Sequence, residues 1–252
     1  MRSRCLRLTV GYLGTRYAGW AVQSPSRTRG LPTVQGTLEA ALQQAVGHPV
    51  RVTAAGRTDA GVHADAQVVS FATESPIPTH GLRRALEQWL PSDLWVVDAD
   101  EVDSAFDARR SAKRRWYRYA IWRSGVPPAG WQGRCVVQFG RLDVAAMRTA
   151  ASALLGRHDF AAFATRPPSG QFTSRTVFAA DWLERDRWLL LFEMCADAYL
   201  KQMVRAIVGS LIWVGTAHWT PEQFARSLAS GDRRLAGPNA PAAGLTLHRI
   251  EY

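Results

Sequence analysis

The chain has 252 residues, 47% of them hydrophobic, and a formal net charge of +10. That length holds one large domain or two small ones with a real core, and the apolar fraction excludes intrinsic disorder. It also excludes a helical membrane span: the best apolar run, Ala206 to Gly215, is about half of the roughly 20 residues needed.

In chain order, Arg4 to Tyr12 alternates apolar and polar residues and predicts a strand. Thr33 to Val46 carries Val34, Leu38, Ala41, Leu42 and Val46 at helical spacing, with Thr33 placed to cap the helix. Val50 to Ala54 and Ala66 to Ala72 predict strands on either side of a glycine-punctuated loop. Thr79 to Leu90 predicts a helix stopped by Pro91, followed by strands at Leu94 to Val102 and Trp116 to Trp122. The order then repeats. A helix is expected over Val144 to Leu155, ending near Gly156, then a hairpin of Val177 to Leu183 and Trp188 to Met194 turning at Arg185-Asp186-Arg187. A long helix over Tyr199 to Val214, a shorter one over Pro221 to Leu228 and a closing strand over Leu245 to Tyr252 complete the chain. Strands in hairpins mixed with helices predict an α+β fold with a largely antiparallel sheet. Two similar halves are expected, 1–126 and 127–252, with the boundary near the Pro127-Pro128 loop.

The loop Gly56-Arg57-Thr58-Asp59-Ala60-Gly61-Val62-His63-Ala64 is where chemistry concentrates. Gly56 and Gly61 allow sharp turns or close approach to a ligand. Arg57 and Asp59 are two positions apart, so extended backbone projects both to one face. A phosphate-binding fork then stands beside a carboxylate able to act as nucleophile, base or electrostatic stabiliser. The bare pattern also fits a solvated turn with a surface ion pair. His63 has no partner at ligand spacing for a metal site.

The three cysteines, Cys5, Cys135 and Cys195, are far apart, which fits isolated thiols rather than a disulfide framework or a zinc site. The N-terminus has no signal-peptide apolar run, so residence in the cytoplasm is expected. All but Lys113 and Lys201 of the 31 basic residues are arginine. The net charge points to a polyanionic partner, and arginine's planar fork suits bidentate phosphate contact. Arg109, Arg110, Lys113, Arg114, Arg115 and Arg118, interleaved with Trp116 and Tyr117, form the strongest RNA-contact candidate in the chain; alone such a run reads first as a solvated charged loop, and only the tie to Tyr117 given by the resemblance below reverses that.

The loop 56–63 resembles the signature loop of the tRNA pseudouridine synthase A family. The resemblance runs the length of the chain in order: Tyr12, Gly14-Thr15 and Tyr17-Ala18-Gly19-Trp20; Thr33-Val34-Gln35-Gly36 with Leu38-Glu39; Phe106, Ala108-Arg109, Ser111-Ala112-Lys113 and Tyr117-Arg118-Tyr119; Gly156 with His158-Asp159-Phe160; Met203-Val204-Arg205 with Ile207-Val208-Gly209; and Ala240-Pro241 with Gly244-Leu245. Departures from the family pattern stand at Leu13, Ala21, Glu87, Asp107, Asp197 and Thr246. The resemblance implies the pseudouridine synthase fold, with a central, largely antiparallel sheet flanked by helices and a cleft between two similar halves. It implies isomerisation of uridine to pseudouridine in the anticodon stem-loop of tRNA, at nucleotides 38, 39 and 40. Asp59 is then the catalytic nucleophile, attacking C1′ or C6, or else a base at the sugar. Arg205 is its ion-pair partner, Tyr117 stacks on the target uracil and Arg57 holds the flipped nucleotide. It further implies a homodimer that needs no metal or organic cofactor and has tRNA as its partner. A non-catalytic tRNA-binding or chaperone protein on the same scaffold is the alternative, and a glycoside hydrolase would need a second carboxylate at defined separation.

Overall fold

The computed structural model describes residues 3–165 and 172–252. In chain order its strands and helices are β1 (Arg4–Tyr12), α1 (Pro25–Thr28), α2 (Val34–Val46), β2 (Thr53–Ala54), β3 (His63–Thr73), α3 (Thr79–Trp89), β4 (Leu94–Val102), β5 (Arg114–Trp122), β6 (Val136–Val137), α4 (Val144–Ser152), β7 (Gly156–Asp159), β8 (Ser174–Glu184), β9 (Leu189–Ala196), α5 (Met203–Gly215), α6 (Pro221–Ser230) and β10 (Leu245–Glu251). The fold is α+β with mostly antiparallel strand pairs. No described helix is long and apolar enough to cross a membrane.

Local chemistry explains the element ends. Thr33 caps α2 by accepting a hydrogen bond from the Gly36 amide at 3.2 Å, and Gly47 ends it at φ +82°. Asp143 caps α4 through the Ala146 amide at 2.9 Å. Thr220 and Gln223 form a reciprocal capping box on α6, with Pro221 in the first turn. Pro91 follows α3 closely, as the sequence predicts.

The chain divides into two compact units, residues 1–113 with 246–252, and residues 114–245. The Pro127-Pro128 loop, the boundary expected from sequence, lies inside the second unit. β5 pairs along its length with β9, from Arg115 opposite Ala196 to Trp122 opposite Leu189, and so belongs with the later strands. In the first unit β1 lies between β3 and β4, antiparallel to both; β2 pairs with β3, and β10 runs parallel to β3. Leu6, Leu8 and Val10 of β1 are fully buried, alternating with half-buried Arg7 and Thr9, as a strand with one face on a core requires. Acidic residues of β4 meet arginines of β1: Arg7 pairs with Asp100 at 2.6 Å and Arg4 with Glu101 at 3.0 Å. In the second unit the antiparallel order is β5-β9-β8-β7, with β6 parallel to β5. α5 is buried almost all round.

Several expected bounds shift, among them α4, which ends at Ser152, and β8, which begins at Ser174. The strand expected over Val50 to Ala54 shrinks to Thr53 and Ala54, the two residues that pair with Ser70 and Val69. β3 begins three residues early, taking in His63 and Ala64. α5 begins at Met203 rather than Tyr199, because Gln202 adopts a left-handed conformation at φ +62°. Lys201 therefore lies in the preceding turn and does not share a helix face with Arg205.

Candidate active site

Residues 55–62 join β2 to β3 and carry Asp59 with almost no regular structure of their own. Such a segment must be held by specific contacts, since its backbone polar groups have no ladder to satisfy them. The Ala55 amide donates to the Val68 carbonyl at 2.9 Å, and Gln67, fully buried, donates from Nε2 to the Gly56 carbonyl at 2.8 Å. The Trp20 amide donates to the Thr58 carbonyl at 3.0 Å. Thr58 turns its side chain inward, 2.8 Å from the hydroxyl of the buried Tyr12. Burial raises the pKa of the Tyr12 phenol well above its ordinary value, so that bond is between neutral groups. The Val62 amide closes the turn on the Asp59 carbonyl at 3.2 Å, with Gly61 at φ +79°.

Two glycines allow this packing. A β-carbon on Gly14 would overlap the Val62 carbonyl oxygen. Gly19, at φ +96°, would place one 2.9 Å from the Thr58 carbonyl oxygen and 3.1 Å from the Ala60 nitrogen. The segment 14–20 is thus pressed backbone to backbone against the Asp59 loop. With Thr58 directed inward, its neighbours take the other side: Arg57 is exposed and Asp59 half-buried. His63 is fully buried and its Nδ1 accepts from the Gly14 amide at 3.2 Å, which uses the lone pair a metal would need there and makes the ring a structural brace.

In the second unit, Tyr117 sits in β5 opposite Met194 of β9 and is 8% exposed. The ring of Tyr199 meets it edge to face, with centroids 4.9 Å apart and planes at 80°. Arg205 occupies the first turn of α5, where its Nε donates to the Ala240 carbonyl at 2.8 Å while the Ala240 amide donates to the Arg205 carbonyl at 2.9 Å. The segment around Ala240 lies directly on the helix. A β-carbon on Gly209 would overlap the Pro238 carbonyl, and the Gly237 amide donates to Ser210 Oγ at 2.8 Å.

The residues of the basic run are held in different ways within each unit. Arg109 and Arg110 are exposed, on a turn whose two amides both donate to Asp107 Oδ1 at 2.8 Å. Lys113 is exposed and closes the first unit's stretch of the run. Arg114, Arg115 and Arg118 lie in β5 of the second unit. Strand alternation puts Arg115 on the Tyr117 face and Arg114 and Arg118 on the opposite one. Arg114 lies over the Phe178 ring at 4.6 Å, Arg115 donates to the Asp197 carbonyl, and Arg118 pairs with Glu193 at 2.6 Å.

A family profile described as tRNA pseudouridine synthase matches residues 8–109 and 150–252. The chain belongs to the tRNA pseudouridine synthase family. The matched segments contain Arg57, Asp59, Arg205 and Tyr199; Tyr117 and most of the basic run fall between them. Relatives extend the match through that interval. A protein of Moorella thermoacetica named tRNA pseudouridine synthase A is 42% identical over 253 residues, covering 98% of this chain and 99% of the relative. A protein of the same name from Chloroflexus aurantiacus is 42% identical over 254 residues, covering 99% and 89%. One from Acetivibrio thermocellus is 39% identical over 249 residues, covering 99% and 100%. Within this tRNA pseudouridine synthase, sequence reading missed Tyr199, Gln67 and the Tyr12–Thr58 bond. Only a glycine inside the apolar run of α5, Gly209, signals in advance that backbone approaches there.

Proposed function

We propose that the protein isomerises uridine to pseudouridine in the anticodon stem-loop of tRNAs, at nucleotides 38, 39 and 40, with Asp59 as the catalytic carboxylate. The observation that carries this reading is a half-buried carboxylate on a loop fixed by contacts from β1, β3 and the 14–20 segment, in a chain that matches tRNA pseudouridine synthases over nearly its whole length. The reaction breaks the bond from C1′ to N1 and joins the same uracil to C1′ through C5, whose proton leaves to solvent. Nothing is oxidised and no atom other than that exchanged hydrogen is lost.

A base inside a stem is out of reach, so the nucleotide is flipped out at a cost of a few kcal/mol. In this reading Arg57 holds the flipped nucleotide by its phosphate. Tyr117 stacks on the uracil, an interaction worth about 1–3 kcal/mol. Arg205 pairs with Asp59 and keeps the carboxylate charged and oriented. The exposed Arg109, Arg110 and Lys113, with Arg114, supply phosphate contacts. The same reading gives a cytoplasmic homodimer that works without metal or organic cofactor. Full activity after exhaustive chelation, with tRNA folding followed separately, is the expected result; a loss restored by one particular metal contradicts it.

The test of the central assignment is Asp59→Asn. Asn keeps the size but cannot act as an anionic nucleophile or base. The variant should fold, bind tRNA and lose more than about 10⁴-fold in single-turnover rate, roughly 5.5 kcal/mol of barrier. A rate within about tenfold of wild type, with deamidation excluded by mass, removes Asp59 from the mechanism.

A further inference from the structure

We propose that Tyr199 is a positioning residue for Tyr117, fixing the ring on which the target base stacks. The inference rests on the role of Tyr117 in the reading above. Tyr199 lies between β9 and α5, in the segment that leads to Arg205 six residues on. Its ring stands edge to face against Tyr117, with centroids 4.9 Å apart, an arrangement favoured by the quadrupoles of both rings.

Its hydroxyl reaches past that contact to the backbone that carries Tyr117. It lies 3.2 Å from the carbonyl oxygen of Arg115 and 3.0 Å from that of Met194. Arg115 is two residues before Tyr117 on β5, and Met194 is the residue opposite Tyr117 on β9. One phenolic proton is therefore shared between two neighbouring strands at the point where they present Tyr117. Burial raises the hydroxyl's pKa well above its ordinary value, so it remains a donor across the working pH range.

A ring that serves as a stacking platform gains from being oriented before the base arrives, because ordering it on binding opposes stacking. Tyr199 supplies that order at three points: the ring edge, the strand before Tyr117 and the residue across from it. The start of α5 is fixed from the same segment. Gln202 Oε1 accepts from Asn239 Nδ2 at 2.9 Å and from the Thr165 hydroxyl.

The experiment places a fluorescent pyrimidine analogue at the target position of an anticodon stem-loop and reads its quenching on full-length protein, alongside single-turnover rates on unmodified tRNA. Tyr199→Leu should release the quench and slow turnover by about tenfold or more, with tRNA affinity within about twofold of wild type. Tyr199→Phe retains the ring and loses only the hydroxyl, and should fall by about threefold. Tyr117→Leu should release the quench fully, and adding Tyr199→Leu to it should change nothing further, since both act through one ring. If Tyr199→Leu fails to fold, Tyr199→Met fills the volume without a ring and is held to the same criteria. If Tyr117→Leu leaves the quench intact, the stacking role of Tyr117 fails, and with it the basis of the inference. If Tyr117→Leu releases the quench but a folded Tyr199→Leu or Tyr199→Met keeps both quench and rate, the positioning role is overturned.

Discussion

The Asp59 loop and the Tyr117–Arg205 region solve the same problem by different means. Asp59 lies on irregular backbone, fixed by hydrogen bonds to Gln67, Trp20 and Tyr12 and by two glycines that admit a second strand of backbone. Tyr117 and Arg205 lie on a strand and a helix, whose own ladders set the main chain, so tertiary contacts need only orient the side chains: Tyr199 against one, Ala240 against the other. A loop site of this kind fails when any anchor shifts the backbone. A site on regular elements loses function through its side chains while the scaffold survives.

The sharpest way to break that comparison is Arg205→Met. If Arg205 acts on the carboxylate, single-turnover rate should fall about 10²–10³-fold, some 3–4 kcal/mol of barrier, with the protein folded by circular dichroism. If it only staples α5 to Ala240, stability falls and the folded fraction keeps wild-type turnover. Next come the glycines. Gly14→Ala and Gly209→Ala should each cost about 1–3 kcal/mol in urea unfolding, because the obstacle in both cases is backbone. Gly14→Ala should also slow the folded enzyme, whereas Gly209→Ala should do so less; equal rates would erase the distinction between loop and scaffold. Thr58→Val removes the partner of a buried phenol and should cost about 1–2 kcal/mol, again with a rate loss in the folded protein. The smallest effect concerns charge. Replacing Arg109 and Arg110 by Gln should lower the slope of log K against log salt by roughly 0.7–0.9 for each phosphate those side chains neutralise. Arg118→Gln should leave the slope nearly unchanged, because Glu193 already neutralises that charge.

Periodicity made the regular elements legible. The strand at Arg4–Tyr12, the cap at Thr33, the stop before Pro91 and the strand at Leu94–Val102 all follow from local rules, and the structure has them where those rules put them. The start of α5 was not legible, since it is marked by a left-handed Gln202 whose side chain is held by Asn239 and Thr165, 37 residues away in either direction. The inward turn of Thr58 follows from Arg57 and Asp59 sharing the other side, but its partner Tyr12 is 46 residues away. The basic run shows the limit of reading charge by count. Its residues are adjacent in sequence, yet strand alternation and Glu193 separate Arg118 from Arg115. Tyr199 escaped notice because an aromatic beside Leu200 looks like any core residue until its hydroxyl is placed.

The most direct measurement uses transcribed, unmodified tRNA carrying tritium at C5 of uridine, incubated with the purified protein. Joining the base through C5 must release that hydrogen to water while every other atom stays in the RNA. The account predicts tritium release from uridines of the anticodon stem-loop, with the RNA otherwise unchanged in mass and pseudouridine mapped at the same sites. Loss of the base from the RNA, or binding of tRNA with no tritium release, would contradict it.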